Sequence, residues 1–381
     1  MCFGEIKVTV GESFRYLDYL IRSGNKNIVL DTNIVLKPGE ELKYKNGIDV
    51  DVEDIVIDGK NHIIDACNKT RIFNITAKNV TIKNFLLREG FSQDGGAIQI
   101  SNANVLIENV MFLRCNAKNN GAGIYIHKGK LKMRECSFLK NKSRRGAALY
   151  SDDSLVSIDK SRFRFNIGFT NGGAIRKNAG DMKISNCLFS HNKSRYAGAV
   201  FSYMGKMQLE KSDFHNNLVV FDGGAIRSYR GDSDISGCKF LSNRAFLGGA
   251  LSIISGKNRV ESSEFRNNVA TNSGGAIGCD SYLEIIDCDL SYNRVLGLGR
   301  GGAIYNIDRI QIVDSILSHN TACFGGAIYN SSLSRPSFKI KDCELSFNTA
   351  HDIAGAIFGS IGRAPEIENC IFNANFSKDD F

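Results

Sequence analysis

A Gly/Ala-rich tetrapeptide returns eleven times along this chain, and no other feature restricts its fold so tightly. It reads Gly95-Gly96-Ala97-Ile98, Gly121-Ala122-Gly123-Ile124 and Gly146-Ala147-Ala148-Leu149, and continues to Ala354-Gly355-Ala356-Ile357. The first nine copies are spaced by 25 to 27 residues. Recurrence at a fixed period of this size marks a chain that stacks one small unit, so that its core grows along an axis. A second motif runs in phase: an apolar residue, two others, then Asn. Phe opens it at Phe138, Phe163, Phe189, Phe214, Phe240, Phe265 and Phe372, and Leu at Leu290, Leu317 and Leu345. The series closes each time on Asn141, Asn166, Asn192, Asn217, Asn243, Asn268, Asn293, Asn320, Asn348 and Asn375, while Phe112 is followed by Cys115 where Asn is expected.

Between the motifs apolar and polar residues alternate over short stretches, as in Met182-Lys183-Ile184, which is the period of a strand. Short strands with one Gly-Gly turn and one Asn turn per repeat describe a coil that returns above its own start. The expected fold is all-β, a right-handed parallel β-helix solenoid of about 12 to 13 coils with a short N-terminal capping helix. Its 38 Gly against 3 Pro fit many tight, specified turns. The Ile of the first motif and the Phe of the second should point inward and stack, and the Asn residues should form a hydrogen-bonded ladder. Ser13 to Ile21 reads as a short amphipathic helix with Ser13 as N-cap. The expected organisation is a cap over residues 1–27, the β-helix over 28–375 with regular repeats from about 85, and a tail over 376–381.

Eleven cysteines invite a disulfide or zinc reading. Cys136, Cys187, Cys238 and Cys288 stand two residues before the Phe or Leu of the second motif, and Ser161, Ser212, Ser263 and Ser315 take that place in the intervening coils. Alternate coils lie about 9.6 Å apart, too far for a disulfide, so these read as small buried residues. Cys343 and Cys370 fall on successive coils, where one bridge stays open as an alternative. Neither a Cys-x-x-Cys nor a Cys/His cluster occurs, so no metal and no cofactor is expected. The same alternation follows the Asn: Lys142, Lys193, Arg244 and Arg294 on the Cys coils, with Ile167, Leu218, Val269 and Thr321 on the others. This lays a spaced column of cations along one edge.

These motifs give the chain a resemblance to the pectin-lyase-like β-helix proteins. It is similar in particular to the adhesin-like surface proteins of methanogenic archaea and the polymorphic membrane proteins of chlamydiae, which carry Gly-Gly-Ala-Ile and Phe-x-x-Asn repeats. The resemblance covers roughly residues 50 to 375. It implies a location at the cell surface or outside the cell, and an adhesive role. Met1 to Leu20 has no basic region followed by an apolar stretch, so a cytoplasmic location is the other expectation.

A net charge of +8 favours anionic partners only mildly, and Lys142-Ser143-Arg144-Arg145 is the longest basic run, so no nucleic-acid partner is expected. No stretch is apolar enough for a membrane helix. A polysaccharide lyase or glycoside hydrolase on this scaffold would gather carboxylates in register on neighbouring coils. Here Asp152-Asp153, Asp232 with Asp234, and Asp280 with Asp287 and Asp289 are scattered. His191 and His319 read as single surface histidines. The expected function is a non-catalytic, adhesin-like scaffold presenting a long face to a polysaccharide or surface protein. An enzyme is the alternative and a structural spacer the third reading, with the oligomeric state open. The residue after the inward Ile should point outward and build an exposed binding column: Tyr125, Tyr150, Arg176, Phe201, Arg227, Tyr305, Tyr329 and Phe358.

Overall fold

The computed structural model of the chain describes residues 11–331, 338–359 and 365–378. Residues 1–10 of the expected cap and 379–381 of the expected tail lie outside the described residues. Each regular coil lays down four short strands, for example Lys130–Arg134, Ser137–Leu139, Lys142–Arg145 and Leu149–Asp152. Every strand pairs in parallel with its equivalents above and below, Phe138 opposite Phe163 and Leu149 opposite Ile175. The first and second strands together form a 26-stranded sheet, the third strands one of 11, and the fourth strands one of 13. Thirteen fourth strands correspond to thirteen coils, as the repeat count implies.

The interior is a set of columns. Ile98, Ile124, Leu149, Ile175, Val200 and Ile226 are fully buried along the fourth strands. The Phe rings from Phe112 to Phe265 stack face to face, with centroids 4.4 to 4.9 Å apart. Beside them runs the Asn ladder. Asn243 Nδ2 donates to Asn268 Oδ1 at 3.1 Å and to the Phe214 carbonyl at 2.9 Å. The Asn217 amide and backbone N–H both donate to Asn243 Oδ1, at 3.0 Å each. A polar side chain can sit at this depth because each of its groups finds the same partner in the next coil.

The Cys/Ser column is interior too. The Cys136 backbone N–H donates to Ser161 Oγ, and the Ser161 N–H to Cys187 Sγ, so the two residue types do the same work on alternate coils. Burial pushes the thiols of Cys136, Cys187, Cys238 and Cys288 up to about 12. Cys343 and Cys370 are both free, which settles the alternative left open between them.

One helix, Phe14–Arg22, closes the first coil. The Ser13 side chain caps it by accepting from the Tyr16 N–H, and Phe14, Leu17 and Ile21 are fully buried. The Gly-Gly turns are as tight as the sequence requires: a Cβ on Gly249 would stand 2.0 Å from the Gly275 carbonyl oxygen of the next coil. Among the described residues no helix is long and apolar enough to cross a membrane.

Candidate functional site

Two corners of the coil cross-section are concave on the outside, and the two columns singled out from sequence fall one in each. At the Gly corner, between third and fourth strands, the column expected to be exposed is largely covered. Tyr150 is 7%, Arg176 9% and Phe201 5% exposed, and Tyr125, Arg227, Tyr305, Tyr329 and Phe358 are partly buried. This corrects the expectation of a solvent-facing aromatic face. The side chains do leave the coil interior, but they turn into the angle of the corner, against the last residues of the third strands. A Cβ on Gly278 would stand 3.0 Å from the Leu247 side chain, and one on Gly146 2.9 Å from Cβ of Arg176.

The column also packs against itself. The Arg176 guanidinium lies 4.1 Å over the Phe201 ring and 5.3 Å from that of Tyr203. Arg227 lies 4.6 Å over Tyr196 and pairs with Asp222 at 3.3 Å. Arg176 Nε and Nη1 and Arg227 Nε make no hydrogen bond; their charge meets ring faces instead. Burial lowers the Arg176 pKa to about 10. Tyr305, Tyr329 and Phe358 stack in turn, at 5.7 and 4.7 Å.

The Gly corner opens at one level, where the column falls to Ser252 and Gly278. A pocket of about 410 Å³ lies there, lined by Asp280, Arg300 and Tyr305 among others. Burial raises the Asp222 carboxyl above its ordinary value, against the pull of Arg227. Burial and then the charge of Asp222 raise Asp280. These two carboxyls come from different coils and from different positions on them, Asp222 before a fourth strand and Asp280 just after one, so sequence spacing could not pair them.

At the Asn corner, between second and third strands, the basic column lines two grooves. Lys193, Arg244 and Arg294 border one of about 640 Å³. Lys142 borders another of about 520 Å³ with Arg114, Lys140 and Phe165. All four cations of the column are exposed, and among the described residues none is in an ion pair or side-chain hydrogen bond.

The opposite wall is the residue just before Cys115 and before each ladder Asn from Asn141 to Asn348, a series of which only His191 and His319 stood out from the sequence. It runs Arg114, Lys140, Phe165, His191, Asn216, Ser242, Asn267, Tyr292, His319 and Phe347, all at φ between 53° and 58°. That backbone throws each of these side chains outward. His191 stacks on Phe165 at 4.9 Å, and His319 lies between Tyr292 at 4.6 Å and Phe347 at 5.1 Å. The two histidines expected to stand singly are therefore members of short ring stacks. A signal was present: the third position of each Phe-x-x-Asn carries rings in two blocks with three small polar residues between them.

The comparisons with known proteins fit this architecture. The family described as right handed beta helix region matches residues 62–226, and the Chlamydia polymorphic membrane protein repeat matches residues 262–280. Metabotropic glutamate receptor-like protein P of Dictyostelium discoideum is 27% identical over 222 residues, 56% of this chain and 16% of that protein. Protein R of the same name and organism is 28% identical over 125 residues, 32% of this chain and 8% of that protein. The chain thus spans only a small part of the curated relatives it matches. Among solved structures, the bacteriophage CBA120 tailspike protein 3 aligns with a TM-score of 0.46 at 10% identity, over 94% of this chain and 58% of that one. A mutant of the periplasmic alginate epimerase AlgG aligns with a TM-score of 0.40 at 9% identity, over 79% and 77%. Coil by coil, the chain is a right-handed parallel β-helix, with residues 262–280 similar to the Chlamydia polymorphic membrane protein repeat.

Proposed function

We propose that this protein is a non-catalytic, adhesin-like scaffold that presents an extended face of its β-helix to a glycan or protein partner at a cell surface. One observation carries the reading: the Asn corner holds two outer grooves whose column cations, among the described residues, make no ion pair or side-chain hydrogen bond, along a ladder that supports itself from inside. Side chains held at fixed intervals by a rigid solenoid suit a long, repetitive ligand better than a small one. The match to a surface-protein repeat over residues 262–280 supports the location.

A second reading has its own observation. Asp280 lines the pocket at the Gly corner and feels the charge of Asp222, which pairs with Arg227; both carboxyls are raised and would suit acid–base chemistry on a sugar chain. Incubating the full chain with insoluble plant and microbial polysaccharides separates the two, following retention, reducing ends and unsaturated products together. Retention without cleavage supports the scaffold. Cleavage lost in Asp280→Asn overturns it in favour of an enzyme.

A further inference from the structure

The larger groove at the Asn corner is a box open to solvent along its top, and its walls define the ligand that fits. Rings stand at both ends of its lining: His191, stacked on Phe165, at one end, and Tyr292 with His319, stacked on each other, at the other. Between them the ring column is interrupted for three coils, where Asn216, Ser242 and Asn267 supply only amides and a hydroxyl. Four coil steps separate His191 from Tyr292, about 19 Å at one strand spacing each. Along the long wall Lys193, Arg244 and Arg294 alternate with Leu218 and Val269. The cations therefore recur on every second coil, about 9.6 Å apart. The alternation that builds this wall is the one that alternates Cys with Ser inside the coil.

We infer that this box binds an acidic polysaccharide carrying its charge on alternate sugars, an inference that rests on the scaffold reading and names the ligand class for it. Three features select that class. A pyranose ring is about as long as one coil is thick, so a sugar chain laid along the axis would bring every second ring level with a cation. The amides and the hydroxyl of the opposite wall match sugar hydroxyls. The apolar side chains between the cations suit the uncharged sugars of the chain. A nucleic-acid strand fits less well. It carries a charge every ~3.4 Å along the duplex axis, roughly three times the density of these cations. Its bases also want a run of free ring faces, whereas here most faces are spent on one another.

The test uses the full chain and immobilised hyaluronan oligosaccharides, in which a carboxylate alternates with a neutral N-acetyl sugar. Chitin oligosaccharides serve as the uncharged counterpart, and single-stranded DNA and polyglutamate as other polyanions. Arg244→Glu reverses the central cation. Ser242→Tyr fills the box without changing its charge, and Tyr292 shows that a ring is accommodated at the same backbone angle. Both sites are on the surface, and thermal unfolding checks that the variants keep the fold. The expected result is binding of hyaluronan over chitin oligosaccharides, weakened by salt. Arg244→Glu should bind about tenfold more weakly or worse, the loss of one charged hydrogen bond, and Ser242→Tyr should lose binding altogether. Equal binding by parent and variants, preference for DNA or polyglutamate, or no hyaluronan binding each overturns the inference. Retention of the neutral oligosaccharide, untouched by either variant, would sink this site while leaving the scaffold reading in place.

Discussion

The two outer corners of the coil receive the same kind of residue and treat it differently. At the Gly corner Arg176 and Arg227 are folded into the angle, stacked on Phe201 and Tyr196, and Arg227 holds Asp222. At the Asn corner Arg244 and Arg294 are exposed and, among the described residues, make neither an ion pair nor a cation–ring contact. The difference lies in what stabilises each turn. The Asn corner is held from within by the amide ladder, so its outer surface carries no structural duty. The Gly corner has only small residues at the turn itself, so its outer column packs against the third strands. An outward direction does not make a column a binding surface; it must also be left without a partner.

Four changes would break or sharpen this contrast. The largest effect belongs inside the Asn corner. Asn243→Ala strands the Asn217 N–H and amide and the Phe214 carbonyl, and should cost about 3 kcal/mol or more in chemical unfolding. A loss no larger than that of a surface substitution would show that the ladder does not hold the turn. Next comes Arg227→Met at the Gly corner, which removes an ion pair and a ring contact and should cost ~1–2 kcal/mol. Arg244→Met at the Asn corner should stay within about 0.5 kcal/mol. Equal costs for the two arginines would erase the distinction drawn here.

The smallest effect is one of pH. The Asp222 pKa is raised in the folded chain, so the native state binds the extra proton, and its stability contribution is present below the ordinary carboxyl value and lost as pH rises through the folded one. Asp222→Asn should therefore be more stable than the parent at neutral pH and converge with it in acid, whereas Arg244→Met should run parallel to the parent throughout. Parallel curves for Asp222→Asn would mean that this carboxyl is not held in its charged form at a cost.

How much of this could be read from the sequence follows from the same contrast. The interior was legible because every coil must fill the same place: Phe189 stacks on Phe214, and Asn192 bonds Asn217, so the residue type repeats with the coil. The short helix and its Ser13 cap were legible for local reasons. The basic column was legible as an alternation, though not as a groove. The burial of Tyr150 and Phe201 was not, because a period of two says which side of a strand a residue faces and nothing about the curvature of the corner beyond it. Nor was the pairing of Asp222 with Asp280, since the two are set at different positions of different coils. The ring stacks around His191 and His319 escaped notice because neighbouring coils contribute different residues, Phe then His, or Tyr then His then Phe, and no single type repeats.

Hydroxyl-radical footprinting of the full chain, with and without hyaluronan oligosaccharides, puts the contrast between the corners to the most direct test. Protection of His191 and Tyr292, with Tyr150, Tyr305 and Tyr329 unchanged, is the result this account predicts. Protection of Tyr305 and Tyr329 with His191 and Tyr292 unaffected would contradict it and place the binding surface at the Gly corner.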